Sequence, residues 1–225
     1  KIRKLNSIAI LMPGDMGYAC ATVFRQNGFR VISYLKGRSR HTRALAKKSG
    51  LENITSLKKL VTDADLILSI LPPEYAIEQA QTVATAMRLT NTFPDYVDCN
   101  AISPATSKQV AKIFKLLPTN FVDGGIIGLN PIKEAGGTRL YVSGSDTTLV
   151  RKIDGNGMVV RDIGQDIGRA SAMKMVYASS TKGTFSLHAA VALMAELTGL
   201  REELFTELAE SQPNTLASIK KNLPR

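Results

Sequence analysis

The sequence predicts an α/β protein, a doubly wound parallel sheet followed by an all-helical C-terminal domain, and three observations carry that prediction. Strand-like apolar runs alternate with helical stretches over about 160 residues, the pattern of a sheet crossed by helices. The first run, Ile8-Ala9-Ile10-Leu11, breaks at a glycine-containing turn and restarts as a small-residue helix from Met16 to Ala21. Beyond Gly164-Gln165-Asp166-Ile167-Gly168 the strand signals stop: from Ala170 to Thr198 there is no proline and one glycine, Gly183, with Gly199 as a terminating cap.

The elements follow in order. Gly28 ends the first helix, and Phe29 to Tyr34 reads as the second strand. Helices are expected over Thr42 to Lys48 and Ser56 to Val61, then a strand from Ala64 to Leu71 stopped by Pro72-Pro73. Glu74 to Leu89 is helical in composition, and Tyr96 to Asn100 reads as a buried strand. Ser103-Pro104 caps and opens a helix through Phe114, with proline where its missing donor costs nothing. Further strands are expected at Asn120 to Asp123, Arg139 to Ser143 and Met158 to Arg161, and helices at Glu202 to Glu210 and Asn214 to Lys221. The expected division is residues 1–168, a Rossmann-type nucleotide-binding domain, and residues 169–225, a helical domain beginning with the long helix.

Composition narrows the class. The chain has 225 residues, 44% apolar and 21% charged, ordinary globular usage that argues against wholesale disorder. No apolar run reaches the ~18 residues of a membrane span, since Thr184 to Leu200 is interrupted by His188 and Glu196. Cys20, Cys99, His41 and His188 are isolated from one another, so reduced thiols, a cytoplasmic setting and no metal are expected. The net charge is +10, and Tyr18 to Leu51 holds no acid but eight lysines and arginines. That run lacks interleaved aromatics and any nucleic-acid motif, so an anionic small ligand is expected in preference to nucleic acid.

The turn after the first strand carries the chemistry. In the G-x-G-x-x-G fingerprint the glycines serve the tight turn, the approach of a pyrophosphate and the packing of helix on strand. Met12 takes the first position, and Gly14 and Gly17 the other two. With Pro13, Asp15 and Met16 they form the expected pyrophosphate seat at a helix N-terminus, where free N–H groups and the dipole favour an anion. Asp15 repels such a ligand unless its side chain caps backbone N–H groups. After the second strand, where an NAD enzyme carries an acid, the chain has Lys36-Gly37-Arg38-Ser39-Arg40. Arg38 and Ser39 suit a 2′-phosphate, so NADP (NADPH) is expected ahead of NAD.

Five stretches occur in a telling order: Met12 to Gly17, Leu71-Pro72, Asp98-Cys99-Asn100-Ala101-Ile102-Ser103-Pro104, Asp123-Gly124-Gly125-Ile126-Ile127-Gly128, and Lys174 in the long helix. On these the chain resembles the β-hydroxyacid dehydrogenase family, which includes 3-hydroxyisobutyrate dehydrogenase and is related to 6-phosphogluconate dehydrogenase. The wording around Asn100 and from Lys174 to Gly183 looks like a less characterised, NAD-binding branch. The resemblance implies hydride transfer between nicotinamide and a small β-hydroxy acid or its semialdehyde or keto form, with Lys174 handling the proton. An ammonium can stabilise and protonate the alkoxide that forms as hydride arrives. Burial beside Met173, Met175 and Val176 would lower the proton affinity of that lysine.

The same resemblance assigns Leu71, Pro72, Asn100 and Ala101 to the cofactor, and Ser103, Gly125, Ile127 and Gly128 to the substrate; Lys182, one turn beyond Ala178 on roughly the same helix face, is expected to add a second substrate contact. It also implies a homodimer formed through the helical domain. Departures are visible. Ala178 stands where the family carries asparagine, Ile127-Gly128-Leu129 where it carries Ser-Gly-Gly, and Ala101 replaces a threonine. These changes, with a sequence that stops at Leu223-Pro224-Arg225, favour the alternative of a non-catalytic dinucleotide-binding sensor or scaffold. Relatives carry further helices there, so either more chain follows or another subunit completes the cleft.

Overall fold

In a computed structural model, which describes residues 3–133 and 136–222, the chain divides into two compact units, Lys1–Met175 and Val176–Arg225. The first is built on a single eight-stranded sheet. Its strands are β1 (Ser7–Leu11), β2 (Arg30–Ser33), β3 (Glu52–Asn53), β4 (Leu66–Ser69), β5 (Asp95–Asp98), β6 (Phe121–Ile127), β7 (Arg139–Ser143) and β8 (Val159–Asp162). Their order is β3-β2-β1-β4-β5-β6-β7-β8, with β1 to β6 parallel, β7 antiparallel to β6 and β8 parallel to β7. The chain winds outward from β1 and then returns to start the other half at β4. The carboxyl ends of β1 and β4 therefore diverge into a crevice, where open sheets of this kind take their ligands.

The helices of this unit are α1 (Asp15–Gln26), α2 (Arg40–Ser49), α3 (Leu57–Asp63), α4 (Ala76–Thr90), α5 (Pro104–Phe114) and the first turns of α6 (Arg169–Thr198). Strand side chains alternate between faces. Ile8, Ile10, Leu66, Leu68 and Val97 pack with Cys20, Ala21 and Phe24 of α1. Ala9, Leu11, Ile67 and Tyr96 pack with Leu60, Val83, Val110 and Phe114 from α3, α4 and α5. Burial on both faces explains why β1 and β4 read as near-continuous apolar runs. Tyr96, Phe114 and Phe121 stack with centroids 4.6 to 6.2 Å apart.

Two elements differ from the sequence expectation. Strand β3 was not expected, because its two residues are polar and exposed; it is held by pairing with β2 and by Arg30, whose Nε and Nη2 donate to Glu52 at 2.8 and 2.9 Å. Strand β6 runs past Asp123 to Ile127, through two glycines that argue against a strand on propensity alone. Both are needed for space. A Cβ on Gly124 would lie 2.9 Å from the Asp98 carbonyl oxygen, and one on Gly125 would lie 2.8 Å from that of Ala170.

The second unit holds the remainder of α6, α7 (Arg201–Ser211) and α8 (Pro213–Asn222). Leu208, Leu216 and Ile219 form its small core, with Leu204 and Phe205 against it. Arg201 and Lys220 sit over the Phe205 ring, 5.5 and 5.8 Å from its centroid. Phe185, Leu187, Leu193, Met194 and Leu197 are exposed on α6. Among the described residues no helix is long and apolar enough to cross a membrane.

Candidate functional site

The turn between β1 and α1 divides the work of its two glycines. A Cβ on Gly17 would stand 2.4 Å from the Met12 carbonyl oxygen, so only glycine lets α1 sit this close to the strand end. A Cβ on Gly14 would meet nothing within 4 Å, so that glycine keeps the approach to the helix N-terminus open. Met12 serves without the missing first glycine because its N–H donates to Ile70 at 3.2 Å, tying the turn to the end of β4. No side chain caps α1, and the first N–H groups of a helix have no partner within it. Asp15 does not turn back as a cap. Its exposed carboxylate lies 3.8 Å from Nε2 of His41, in solvent that screens its repulsion of an anion. Pro13 is buried under the turn and Met16 is half-buried.

Arg38 follows Gly37, whose φ of 76° makes the bend after β2. The guanidinium turns inward. Nη2 lies 3.5 Å from Oε1 of Gln79 on α4, and Nε is enclosed with no hydrogen-bond partner among the described residues. It borders a recess of about 220 Å³ lined by Met12, Leu71, Tyr75, Glu78, Gln79 and Thr82. The recess thus joins the glycine turn, Arg38 and the end of β4. Ser39 is exposed, and its hydroxyl caps α2 by accepting the Thr42 N–H at 3.1 Å. Arg40 and Arg43 follow in the first turn of α2, exposed.

At the ends of β4 and β5, Asn100 is buried and acts as a brace. Its Oδ1 accepts the Leu71 N–H at 2.7 Å and its Nδ2 donates to Ser69 Oγ at 3.1 Å. Both ends of the carboxamide are engaged within the protein, so Asn100 shapes the Leu71-Pro72 turn through its side chain. Leu71 is half-buried, while Pro72 and Ala101 are exposed. Ser103 caps α5, accepting the Thr106 N–H at 3.1 Å.

Two residues that sequence reasoning passed over organise what lies beneath. Asp123 is completely buried and accepts five hydrogen bonds: from Ser107 of α5, Ser143 of β7, the Gly168 N–H, and both the N–H and hydroxyl of Ser171, at 2.5 to 3.2 Å. Its charge is matched to the N-terminal end of α6. Asp98, paired with it in register across β5 and β6, has Oδ1 on the Asn100 N–H at 2.9 Å and an enclosed Oδ2 with no hydrogen-bond partner among the described residues. Burial pushes the Asp98 carboxyl up to about 7; the Asn100 N–H opposes this, the neighbouring Asp123 adds to it, and the Asn100 side chain and Lys174 draw it back. The signal was present in the sequence as a carboxylate closing each of two buried runs.

Lys174 lies on the turn of α6 that Gly125 admits, its Cβ 3.2 Å from where a Gly125 Cβ would be. It is half-buried, as are Met173 and Met175, whereas Val176 is exposed. Ile127 is buried at the end of β6, and Gly128, with φ of 107°, turns the chain against Gly137. The first unit therefore gathers Met12 of the glycine turn, Arg38 and Leu71 around one recess with Asn100 bracing Leu71, while Gly125 and Lys174 meet where β6 packs on α6. Lys182 belongs to the second unit and is exposed.

Residues 7–154 match the model of the NAD-binding domain of 6-phosphogluconate dehydrogenase. The chain belongs to that family. As a β-hydroxyacid dehydrogenase family member it is an NAD(P)-dependent dehydrogenase or reductase by descent. It is 28% identical over 199 residues to an uncharacterised 28.5 kDa protein of Methanothermus fervidus, covering 88% of this chain and 75% of that one. Among solved structures it resembles a conserved protein described as similar to 3-hydroxyacid dehydrogenases (26% identity, TM-score 0.73, 94% and 78% of the two chains). It shares its fold with Mycobacterium tuberculosis 3-hydroxyisobutyrate dehydrogenase (20%, TM-score 0.72, 93% and 72%) and with an imine reductase from Myxococcus stipitatus in complex with NAD+ (18%, TM-score 0.76, 97% and 75%).

Proposed function

We propose that this family member is an NADP(H)-dependent oxidoreductase that moves hydride between nicotinamide and a small β-hydroxy acid or its semialdehyde or keto form. The observation that carries the reading is Lys174, held on the carboxyl side of the sheet by the close approach of α6 to Gly125. The open face of Gly14 and the uncapped start of α1 fit a pyrophosphate, and the unpaired Nε of Arg38 fits an anionic group beside the recess. The bound nicotinamide would supply or accept the hydride. Leu71, fixed by Asn100, would shield one face of it from water, and the Lys174 Nζ would give its proton to the oxygen of the reduced carbonyl. Ser103 and Gly128 would contribute to the substrate, and the exposed apolar residues of α6 would be covered in a homodimer.

Screening with NADPH against short aldehydes and keto acids tests the reaction. Lys174→Ala should lower kcat at least about 100-fold, the usual contribution of a positioned proton donor, and a variant as fast as the parent would remove that role. Arg38→Ala should reduce a preference for NADPH over NADH of at least about tenfold, worth ~1.4 kcal/mol, towards parity. The buried, fully engaged Asn100 side chain and the departures at Ala178 and Ile127 favour a second reading, a dinucleotide-binding sensor or scaffold. Tight NADPH binding with no turnover on any carbonyl would support it.

A further inference from the structure

The start of α6 is capped by the sheet and not by its own chain. A helix leaves its first N–H groups without partners inside it, and a serine, threonine, asparagine or aspartate just before it ordinarily accepts them. Gly168 stands there instead, its carbonyl accepting the Ala172 N–H at 2.9 Å and with no side chain to offer. The acceptors come from two strands. Asp123 Oδ2 on β6 takes the N–H of Gly168 at 2.9 Å and of Ser171 at 3.0 Å, and Ser143 Oγ on β7 takes that of Ala170 at 3.2 Å. The Ser143 hydroxyl donates in turn to the same Oδ2 at 3.2 Å, and Oδ1 accepts the hydroxyls of Ser171 at 2.5 Å and Ser107 at 2.8 Å. With the Arg169 N–H on the Asp166 carbonyl at 3.2 Å, each N–H from Gly168 to Ser171 has an acceptor. The N-terminus of α6 is thus closed, where that of α1 has no side-chain cap.

Because the cap belongs to β6 and β7, these strands fix where α6 begins. Asp123 and Gly125 lie two residues apart and so on one face of β6. Asp123 holds the end of α6, and Gly125 lets the next turn close in, with the Ala170 carbonyl oxygen 2.8 Å and Lys174 Cβ 3.2 Å from where a Gly125 Cβ would be. Lys174 follows Ser171 by three residues, about 4.5 Å along the helix axis. We propose that Asp123 is a positioning residue for the reduction: by capping α6 from the sheet it sets the place from which Lys174 gives its proton. A displacement of about 1 Å at a reacting group costs up to about 100-fold in rate, so a helix start fastened at this many points serves the chemistry as well as the fold. This inference rests on Lys174 being the proton donor.

Three serine variants separate positioning from stability. Ser171→Ala and Ser143→Ala each remove a hydroxyl on the α6 side of the cap. Ser107→Ala removes the hydroxyl that α5 places on the same Oδ1 as Ser171, and leaves every N–H of α6 with its acceptor. Lysines of the full chain are reductively methylated with 13C, and the Lys174 signal, identified by its loss in Lys174→Arg, reports the surroundings of that side chain without turnover. The expected result is a Lys174 signal displaced in Ser171→Ala and Ser143→Ala and kept in Ser107→Ala. In the unmodified variants, with NADPH and the carbonyl compound reduced fastest, kcat should fall at least about tenfold in the first two and stay within about twofold of the parent in Ser107→Ala, with KM for NADPH unchanged in all three. A Lys174 signal that stays in place in all three variants, or moves as far in Ser107→Ala as in the others, overturns the proposal. So does a kcat that ignores both α6-side variants while Lys174→Ala abolishes turnover. Should neither α6-side variant fold, amide hydrogen exchange of the parent decides: the N–H groups of Ala170 and Ser171 must be among the slowest of α6, and exchange at the rate of a frayed helix end overturns the proposal. Failure of the reaction reading looks different: the Lys174 signal moves as expected, yet Lys174→Ala turns over as fast as the parent.

Discussion

The ends of β5 and β6 place two aspartates side by side, and the protein treats them in opposite ways. Asp123 receives donors from α5, β7 and the start of α6, so one charge ties four segments of the first unit together. Asp98 is met by Asn100, whose N–H it accepts, and its Oδ2 is enclosed with no hydrogen-bond partner among the described residues. Equal burial and identical chemistry thus yield a carboxyl held by many donors at one position and, at the other, one that burial pushes up to about 7. The difference teaches that the number of donors, rather than depth, decides whether a buried carboxylate is a fastening or a switch.

Removing the fastening should have the largest effect. Asp123→Asn replaces an anion with an amide that offers one acceptor to five donors. Charge-assisted bonds contribute about 1.5–3 kcal/mol each and do not add simply, so a loss on the order of 5 kcal/mol is expected. Urea denaturation followed by circular dichroism measures it, and a loss under about 1 kcal/mol would make the two aspartates equivalent.

Next comes the pH dependence of stability at Asp98. Its folded value lies near 7, above the ordinary 3.8, so between those limits the folded chain holds a proton that the unfolded chain has released. The sign follows from linkage: this group's contribution is full below about pH 4, falls as pH rises to about 7, and is flat above. The parent minus Asp98→Asn difference in unfolding free energy should therefore decline by at most about 1.4 kcal/mol per pH unit across that window. A difference that is level from pH 4 to pH 8 would show that Asp98 takes up no proton on folding in that window.

The smallest expected effect lies between the strands and α6. Gly125→Ala sets a methyl 2.8 Å from the Ala170 carbonyl oxygen and 3.2 Å from Lys174 Cβ, so α6 must shift. Overpacking of this kind costs about 1–3 kcal/mol. The melting temperature should fall, and under the proposed reaction kcat should fall with it, because Lys174 moves with the helix. A variant with unchanged melting temperature and kcat would show that the contact has slack.

Much of the fold was legible because burial on both faces leaves a mark in one dimension. Ile8 to Leu11 and Leu66 to Ser69 are apolar runs, and Ser39, Ser56 and Ser103 stand before helices they do cap. The glycine turn was legible for the same reason, since Gly14 and Gly17 answer local demands of approach and packing. Strand β3 was not legible, because its pairing depends on Arg30 and Glu52, 22 residues apart in sequence. The run through Gly124 and Gly125 was misjudged because strand propensity counts against glycine, whereas the demand for it comes from Asp98 and Ala170 on other elements. Asn100 was read as reaching outward to a ligand, and its engagement with Ser69 and Leu71 follows only from the neighbouring strand end.

By itself, then, the sequence determined the alternation of strands and helices, the glycine turn before α1, the family and the presence of Lys174 on a long helix. These are properties of residues close together in the chain, where spacing and side-chain type act through short-range sterics and hydrogen bonding. What only the tertiary structure decided is the unequal state of Asp98 and Asp123, the inward turn of Arg38 towards Gln79, and the nearness of Lys174 to Gly125. Each depends on groups brought together from distant positions, and the desolvation and donor count that set a buried charge exist only once those groups have met.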